Sequence, residues 1–150
     1  MSYRSRGAEI TCTCAQCGRA NRVPAAHLTS QGRCGECKTP FGPLAAPLAV
    51  GSAAFDAVIK NAKVPVLVDF WAGWCAPCRM AAPHVDETAK TMAGRAVVLK
   101  VDTEAHPELG ARYQVRSIPF FMVFHQGKAV SQQAGLVDSS QMQSWLRNAG

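Results

Sequence analysis

A chain of 150 residues with 48% hydrophobic and 17% charged residues has the composition of a globular protein, which excludes wholesale disorder. The formal charge is +6, and residues 1–45 carry six Lys/Arg against two acids, a local excess of +4. That excess lacks the interleaved aromatic and basic residues of a nucleic-acid surface, so nucleic acid is not an expected partner.

Along the chain, residues 1–11 read as a loose polar tail. Residues 12–42 are rich in Cys, Gly and turn formers with little apolar periodicity, so this stretch needs a staple to fold. PLAAPLAVG (43–51), with two prolines, reads as a linker. From Ser52 the pattern changes. Ser52 can cap a helix through AAFDAVIKNA, with Phe55, Val58 and Ile59 on one face. VPVLVDFWA (64–72) is a nearly continuous apolar run, the pattern of a strand covered on both faces. A helix follows over about 76–93, with Pro83 expected to kink it. AVVLKVD (96–102) is the next strand, and a short helix spans about 106–113. FFMVFH, a Gln-Gly turn and KAVSQQA read as a hairpin over 120–134. Asp138-Ser139-Ser140 caps a last helix carrying Met142, Trp145 and Leu146. The order α-β-α-β-α-β-β-α predicts an α/β fold with a mixed central sheet. The expected division is a small module at 1–42, a linker at 43–51 and the α/β domain at 52–150.

Seven cysteines are unusual for this length. The opening MSYRSRGAEITCT has no apolar core of a secretory signal, and no apolar run approaches the ~18 residues of a membrane span, so a cytoplasmic protein is expected. In a reducing compartment paired cysteines serve as metal ligands or redox groups more often than as structural disulfides. Six of the seven fall into three Cys-x-x-Cys pairs, and Cys12 stands alone.

The middle pair, Cys75 and Cys78, follows the end of a predicted strand and opens a predicted helix. A sulfur at a helix N-terminus meets unpaired backbone N–H groups and the positive end of the helix dipole, which favour the nucleophilic thiolate. Cys78, one turn on, can attack a mixed disulfide formed on Cys75 and release its partner. Pro77 near the first turn forfeits no hydrogen bond. The alternative, half of a zinc site, lacks two ligands, because Cys12 is the one cysteine outside the pairs. The outer pairs have the spacing C-x₂-C-x₁₆-C-x₂-C, within the zinc-ribbon template. Two such turns can aim Cys14, Cys17, Cys34 and Cys37 at one point, and Gly18 and Gly35 suit the turns. Four thiolates leave no open position, so the expected Zn²⁺ is structural, and its site charge of −2 would absorb half of the local excess. Two disulfides or an iron–sulfur cluster are the alternatives. Cys12, a free thiol or a substitute ligand, and His27, ordinarily just a solvated loop residue, are the candidates to compete for the ion, whereas His84, His106 and His125 have no ligand spacing.

Asp69 interrupts the apolar run and shares a strand face with Leu67 and Trp71. An unpaired carboxylate buried there is costly, so its pKa is expected to rise.

VDFWAGWCAPC, KVDTE (100–104) and RSIPF (116–120) together resemble the thioredoxin family over about residues 50–148. CAQCGRANRVP and RCGECKTPF resemble the N-terminal zinc module of the zinc-containing, thioredoxin 2 type, extending the resemblance to all but the first ten or so residues. The resemblance implies a thioredoxin fold with a zinc ribbon, and reduction of protein disulfides. It implies that Asp69 relays a proton through water to or from Cys78, with Lys100 beside it. It also implies that Pro119 follows a cis peptide bond, and that Trp74, Ala76, Pro77, Ile118 and Gly135 form the contact surface for substrate. One departure is visible: the commonest dipeptide between the family's cysteines is Gly-Pro, and here it is Ala76-Pro77. Electrons would come from a flavin-containing thioredoxin reductase using NADPH, because the chain has no nucleotide-binding glycine fingerprint and is expected to bind neither nucleotide nor flavin itself. A monomer is expected, with oxidised proteins as substrates. Two rivals stand beside this: a thiol oxidase or isomerase, which would carry an export signal, and a zinc-dependent redox sensor or holdase in which the ribbon is the functional part.

Overall fold

The first eleven residues are not a loose tail. In the computed structural model, which describes all 150 residues, β1 (Ser2–Arg6) and β2 (Glu9–Thr13) form an antiparallel hairpin that β3 (Ala20–Arg22) extends to three strands. Polar composition hid an alternating strand. Tyr3 and Ser5 turn inward, where the Tyr3 hydroxyl donates to Gly42 O at 2.7 Å and Ser5 Oγ donates to Ala49 O at 2.7 Å. A 3₁₀ turn (Ala25–His27) and the two-stranded β4 (Gly32–Arg33) and β5 (Pro40–Phe41) complete the N-terminal unit.

The segment expected as a linker lies against the main sheet. β6 (Leu48–Ala49) pairs in parallel with Leu99 and Lys100, and Leu44, Leu48 and Val50 are buried. Its apolar side chains outweigh its two prolines, which cost nothing at positions whose N–H is not needed for a ladder.

The remaining elements follow the predicted order: α1 (Ser52–Asn61), β7 (Val66–Trp71), α2 (Ala76–Thr91), β8 (Val97–Asp102), α3 (Pro107–Arg112), β9 (Phe120–His125), β10 (Lys128–Ala134) and α4 (Ser139–Ala149). The helix α2 is continuous through Pro83. Ser52 does not cap α1: Gly51 occupies the cap without a side-chain bond, and Ser52 Oγ donates to Glu108 Oε1 at 3.0 Å instead. Asp138 does cap α4, accepting from the Gln141 N–H at 2.9 Å.

The sheet order is β10-β9-β7-β8-β6, with β7 parallel to β8 and antiparallel to β9. The central strand β7 is therefore covered on both faces, as its unbroken apolar run demands. On one face Val66, Val68 and Phe70 pack with Phe55 and Val58 of α1 and Leu109 of α3. Ile10, Val23, Leu28, Phe41 and Leu44 join this same cluster, so the N-terminal unit shares a core with the α/β domain instead of relying on a staple alone. On the other face Leu67, Val98, Phe121 and Val123 pack against Ala81 and Val85 of α2 and Met142 and Leu146 of α4. Asp69 is the polar interruption on this second face.

Candidate active site and metal centre

Strand β7 ends at Trp71, the chain turns through Ala72–Gly73–Trp74, and Cys75 becomes the N-cap of α2. Arg79 braces the turn by donating to Gly73 O at 2.7 Å, a role with no signal in the sequence. Cys75 and Cys78 are joined as a disulfide with Cα atoms 5.2 Å apart. The Cys78 N–H donates to Cys75 Sγ at 3.2 Å, the hydrogen bond that a thiolate at this cap would use. Both cysteines are buried, whereas Trp74 is 67% exposed.

The Ile118–Pro119 peptide is cis, and Ile118 O lies 3.7 Å from Cys75 Sγ. Gly135, at φ +94° and so in the region glycine favours, donates its N–H to Pro119 O at 2.9 Å. The predicted contact residues Trp74 and Ile118 line one cavity of about 630 Å³, together with Val115, Arg116, Thr103 and Pro107. Ala76 and Pro77 are exposed in the first turn of α2.

Asp69 is 2% exposed and its Oδ1 has no hydrogen-bond partner. Burial pushes its pKa up to about 7; Lys100 opposes the rise and Asp86 of α2 adds to it. Lys100 lies opposite Asp69 in the parallel register of β7 and β8, and its Nζ sits 4.6 Å above the Trp71 ring. The sequence reading paired Lys100 with Asp69; the structure adds the aromatic face, a contact of about 0.5–1 kcal/mol at a partly exposed site. The influence of Asp86 could not be read from sequence, because it depends on how α2 crosses the sheet.

Cys14, Cys17, Cys34 and Cys37 have sulfurs all within 4.8 Å of one another. Cys14 Sγ lies 3.6 Å from Cys37 Sγ, and Cys17 Sγ lies 3.5 Å from Cys34 Sγ. Sulfurs at the corners of a tetrahedron around Zn²⁺, with Zn–S of about 2.3 Å, are about 3.8 Å apart, so this donor set fits that ion. The thiols differ among themselves. The Cys37 backbone N–H, followed by the Glu36 N–H and the Asn21 side chain, helps hold Cys34 down to about 6 against the cost of burial. The Thr39 hydroxyl and N–H lower Cys37. Cys17 is raised: the Arg19 N–H lowers it, but burial and its sulfur neighbours outweigh that.

Each pair sits on the same turn. Cys14 N–H donates to Arg19 O at 2.8 Å and Gly18 N–H to Cys14 O at 3.0 Å; Cys34 N–H donates to Thr39 O at 2.9 Å and Lys38 N–H to Cys34 O at 3.0 Å. The position after the second cysteine takes positive φ in both turns, +78° at Gly18 and +65° at Lys38. Gly18 meets this demand as expected, but Gly35 does not, since Lys38 carries it in the second turn. Gly18→Ala is therefore expected to cost about 1–2 kcal/mol, an L side chain in the left-handed region. Gly35→Ala should be near neutral, because a Cβ there meets Arg19 Nε at an ordinary 3.5 Å. Chemical denaturation of the two variants checks the contrast.

A sulfur that caps a helix, a second sulfur one turn on and an open backbone edge beside them carry out one class of chemistry, the two-electron exchange between dithiol and disulfide that defines a thiol–disulfide oxidoreductase. The family model described as Thioredoxin matches residues 46–148, and the one described as Thioredoxin 2, N-terminal matches residues 13–39. The chain belongs to the thioredoxin family, carries that family's N-terminal ribbon, and is a protein-disulfide reductase. Among its relatives, Thioredoxin C-3 of Corynebacterium nephridii is 40% identical over 133 residues, covering 89% of this chain and 90% of that one. Thioredoxin 1 of a Nostoc species is 41% identical over 103 residues, 69% of this chain and 96% of its own. A solved mutant thioredoxin from Halobacterium salinarum superposes with a TM-score of 0.67 at 31% identity, covering 73% of this chain and 95% of that structure. The sheet and flanking helices are thus a thioredoxin fold.

Proposed function

We propose that this chain reduces disulfides in other proteins through Cys75 and Cys78, with electrons drawn from a flavin-containing, NADPH-dependent thioredoxin reductase. The observation that carries this reading is the geometry of Cys75: a capping sulfur 3.2 Å from the Cys78 N–H and 3.7 Å from the carbonyl that precedes Pro119. In the reduced protein the Cys75 thiolate attacks a target disulfide, forms a mixed disulfide and expels one target thiolate. The Asp69 carboxylate, through water, takes the proton from Cys78. The Cys78 thiolate then attacks Cys75 Sγ, expels the second target thiolate and leaves the Cys75–Cys78 disulfide. Two electrons have passed to the target. An extended target strand pairs with the Ile118 backbone edge, over the surface of Trp74, Ala76, Pro77, Ile118, Pro119 and Gly135. Lys100 tempers the charge on Asp69.

Cys14, Cys17, Cys34 and Cys37 would hold a structural Zn²⁺. When bound, the ion supplies no reaction step and ties the two cysteine turns together. In this reading residues 1–42 are the zinc module, 43–51 the connection and 52–150 the catalytic unit. The protein works as a monomer in a reducing compartment, the cytoplasm; no helix is long and apolar enough to cross a membrane.

The test is NADPH consumption with thioredoxin reductase and insulin as the disulfide substrate. Turnover is expected only when reductase, this protein and insulin are all present. Its absence, with the protein's thiols shown to be free, would reject the reductase as donor and bring the zinc-dependent sensor forward. Elemental analysis of the reduced protein should give one zinc per chain.

A further inference from the structure

Asn21, in β3, is a buried polar residue that the redox chemistry does not use, exposed by only 8%. Its Oδ1 accepts from the Gly35 N–H at 2.9 Å, inside the second cysteine turn. Its Nδ2 donates to Arg19 O at 3.3 Å and to Cys12 O at 3.4 Å, on either side of the first. No sheet ladder joins the two turns: β3 pairs with β2, and β4 pairs with β5, in separate sheets. Apart from the sulfurs, the one other polar link between them is the Arg19–Glu36 ion pair at 3.3 Å, exposed on both sides and so worth little. The two turns are near copies, twenty residues apart, but the copy of Asn21 is Phe41, a buried hydrophobe. The link is therefore one-sided and rests on a single amide, whose oxygen accepts from one turn while its separate NH₂ donates to the other side.

We propose that Asn21 is the positioning residue of the metal centre, fixing the second cysteine turn against the first so that all four sulfurs converge. The proposal rests on the reading of those cysteines as a zinc site. The energy argument is that this part-buried bond fixes one orientation of the second turn, which a bond to water would not do. Without the Asn21 Oδ1, water can take the Gly35 N–H, and apart from the sulfurs only the exposed Arg19–Glu36 pair is left to orient the second turn against the first. Asn21 does not touch the ion. It acts through the backbone that carries Cys34 and Cys37, with its side chain also against the Cys34 thiol, as groups behind metal ligands do elsewhere, where their loss costs about 10–100-fold in affinity.

The experiment uses the full-length reduced protein. Zinc affinity is measured by competition with a chromophoric chelator, and ligand geometry by the absorption bands of the Co²⁺-substituted protein. Asn21→Ala is expected to weaken zinc binding about 10–100-fold and to alter the Co²⁺ spectrum. Asn21→Asp, which keeps the acceptor for Gly35 but not the donor, should keep more of the wild-type spectrum than Asn21→Ala. Val23→Ala, which trims a buried core side chain whose residue hydrogen-bonds to Ile10 and to neither cysteine turn, should lower thermal stability and leave the spectrum unchanged. Insulin reduction by each zinc-loaded variant reports that the catalytic unit is folded. If Asn21→Ala and Asn21→Asp both bind zinc as tightly as wild type, or change only in stability as Val23→Ala does, the positioning role is overturned while the zinc site stands. If wild type itself holds neither metal, the zinc reading fails and takes this role with it.

Discussion

Replacing Cys78 with serine will turn this protein from a catalyst into a trap. Cys75 keeps its place at the cap of α2, so it still attacks a target disulfide, but no second thiolate stands one turn away to release the product. Cys78→Ser incubated with an oxidised protein should form a covalent complex that survives denaturation and disappears with dithiothreitol. Cys75→Ser should form none. Both variants should lose insulin reduction by on the order of 10³-fold or more, the usual scale when a covalent nucleophile is removed. The position of the pair on α2 assigns the roles. Both sulfurs are buried, but Cys75 is the cap of α2, beside the exposed Trp74 and 3.7 Å from Ile118 O at the open edge where a partner can approach, whereas Cys78 lies inside the first turn. A trapped complex that forms through Cys78 in the Cys75→Ser protein would reverse the assignment.

The second large effect is a pH-dependent change in stability at Asp69. Its ordinary value is 3.8, and burial in the folded, oxidised protein raises it to about 7. Between those two values the native state holds a proton that the unfolded chain has lost. Stability therefore falls as pH rises through this window and levels off above about pH 7. Three pH units correspond to about 4 kcal/mol, an upper figure for what Asp69→Asn would recover at pH 8. Below about pH 4 both proteins carry a neutral group there, and their stabilities should converge. Denaturant unfolding at pH 4 and pH 8 checks this, and an equal gap at both would mean that Asp69 does not titrate in that range. The same change removes the base proposed for Cys78. Resolution of the mixed disulfide near neutral pH should slow by on the order of 10²-fold. A protein that becomes more stable and slower from one substitution would show a carboxylate kept for chemistry at the expense of the fold.

Much of this protein is local, and local features are legible in a sequence. The strand-to-helix passage at WAGWCAPC places a sulfur at a helix cap whatever the rest of the chain does, because a strand ending and a helix beginning are set by neighbouring residues. The spacing of the outer cysteines limits them to two turns that can meet at one ion. The alternation of strands and helices implied a mixed α/β sheet, and Asp69 stood out as a polar residue in an apolar run. The errors came where composition was polar or mixed. Residues 1–11 form strands because their alternate side chains find Gly42 and Ala49 in space. PLAAPLAVG is part of the sheet because β8 offers an unpaired edge. Ser52 loses its cap role to a partner 56 residues away, and Lys38 takes a glycine's backbone conformation while Gly35 does not. The tertiary structure alone decided the shared core of ribbon and domain, the Asp86 charge near Asp69, and the Asn21 bridge between the cysteine turns. Each of these joins groups distant in sequence, and the free energy of such a contact exists only after the chain has brought its two ends together.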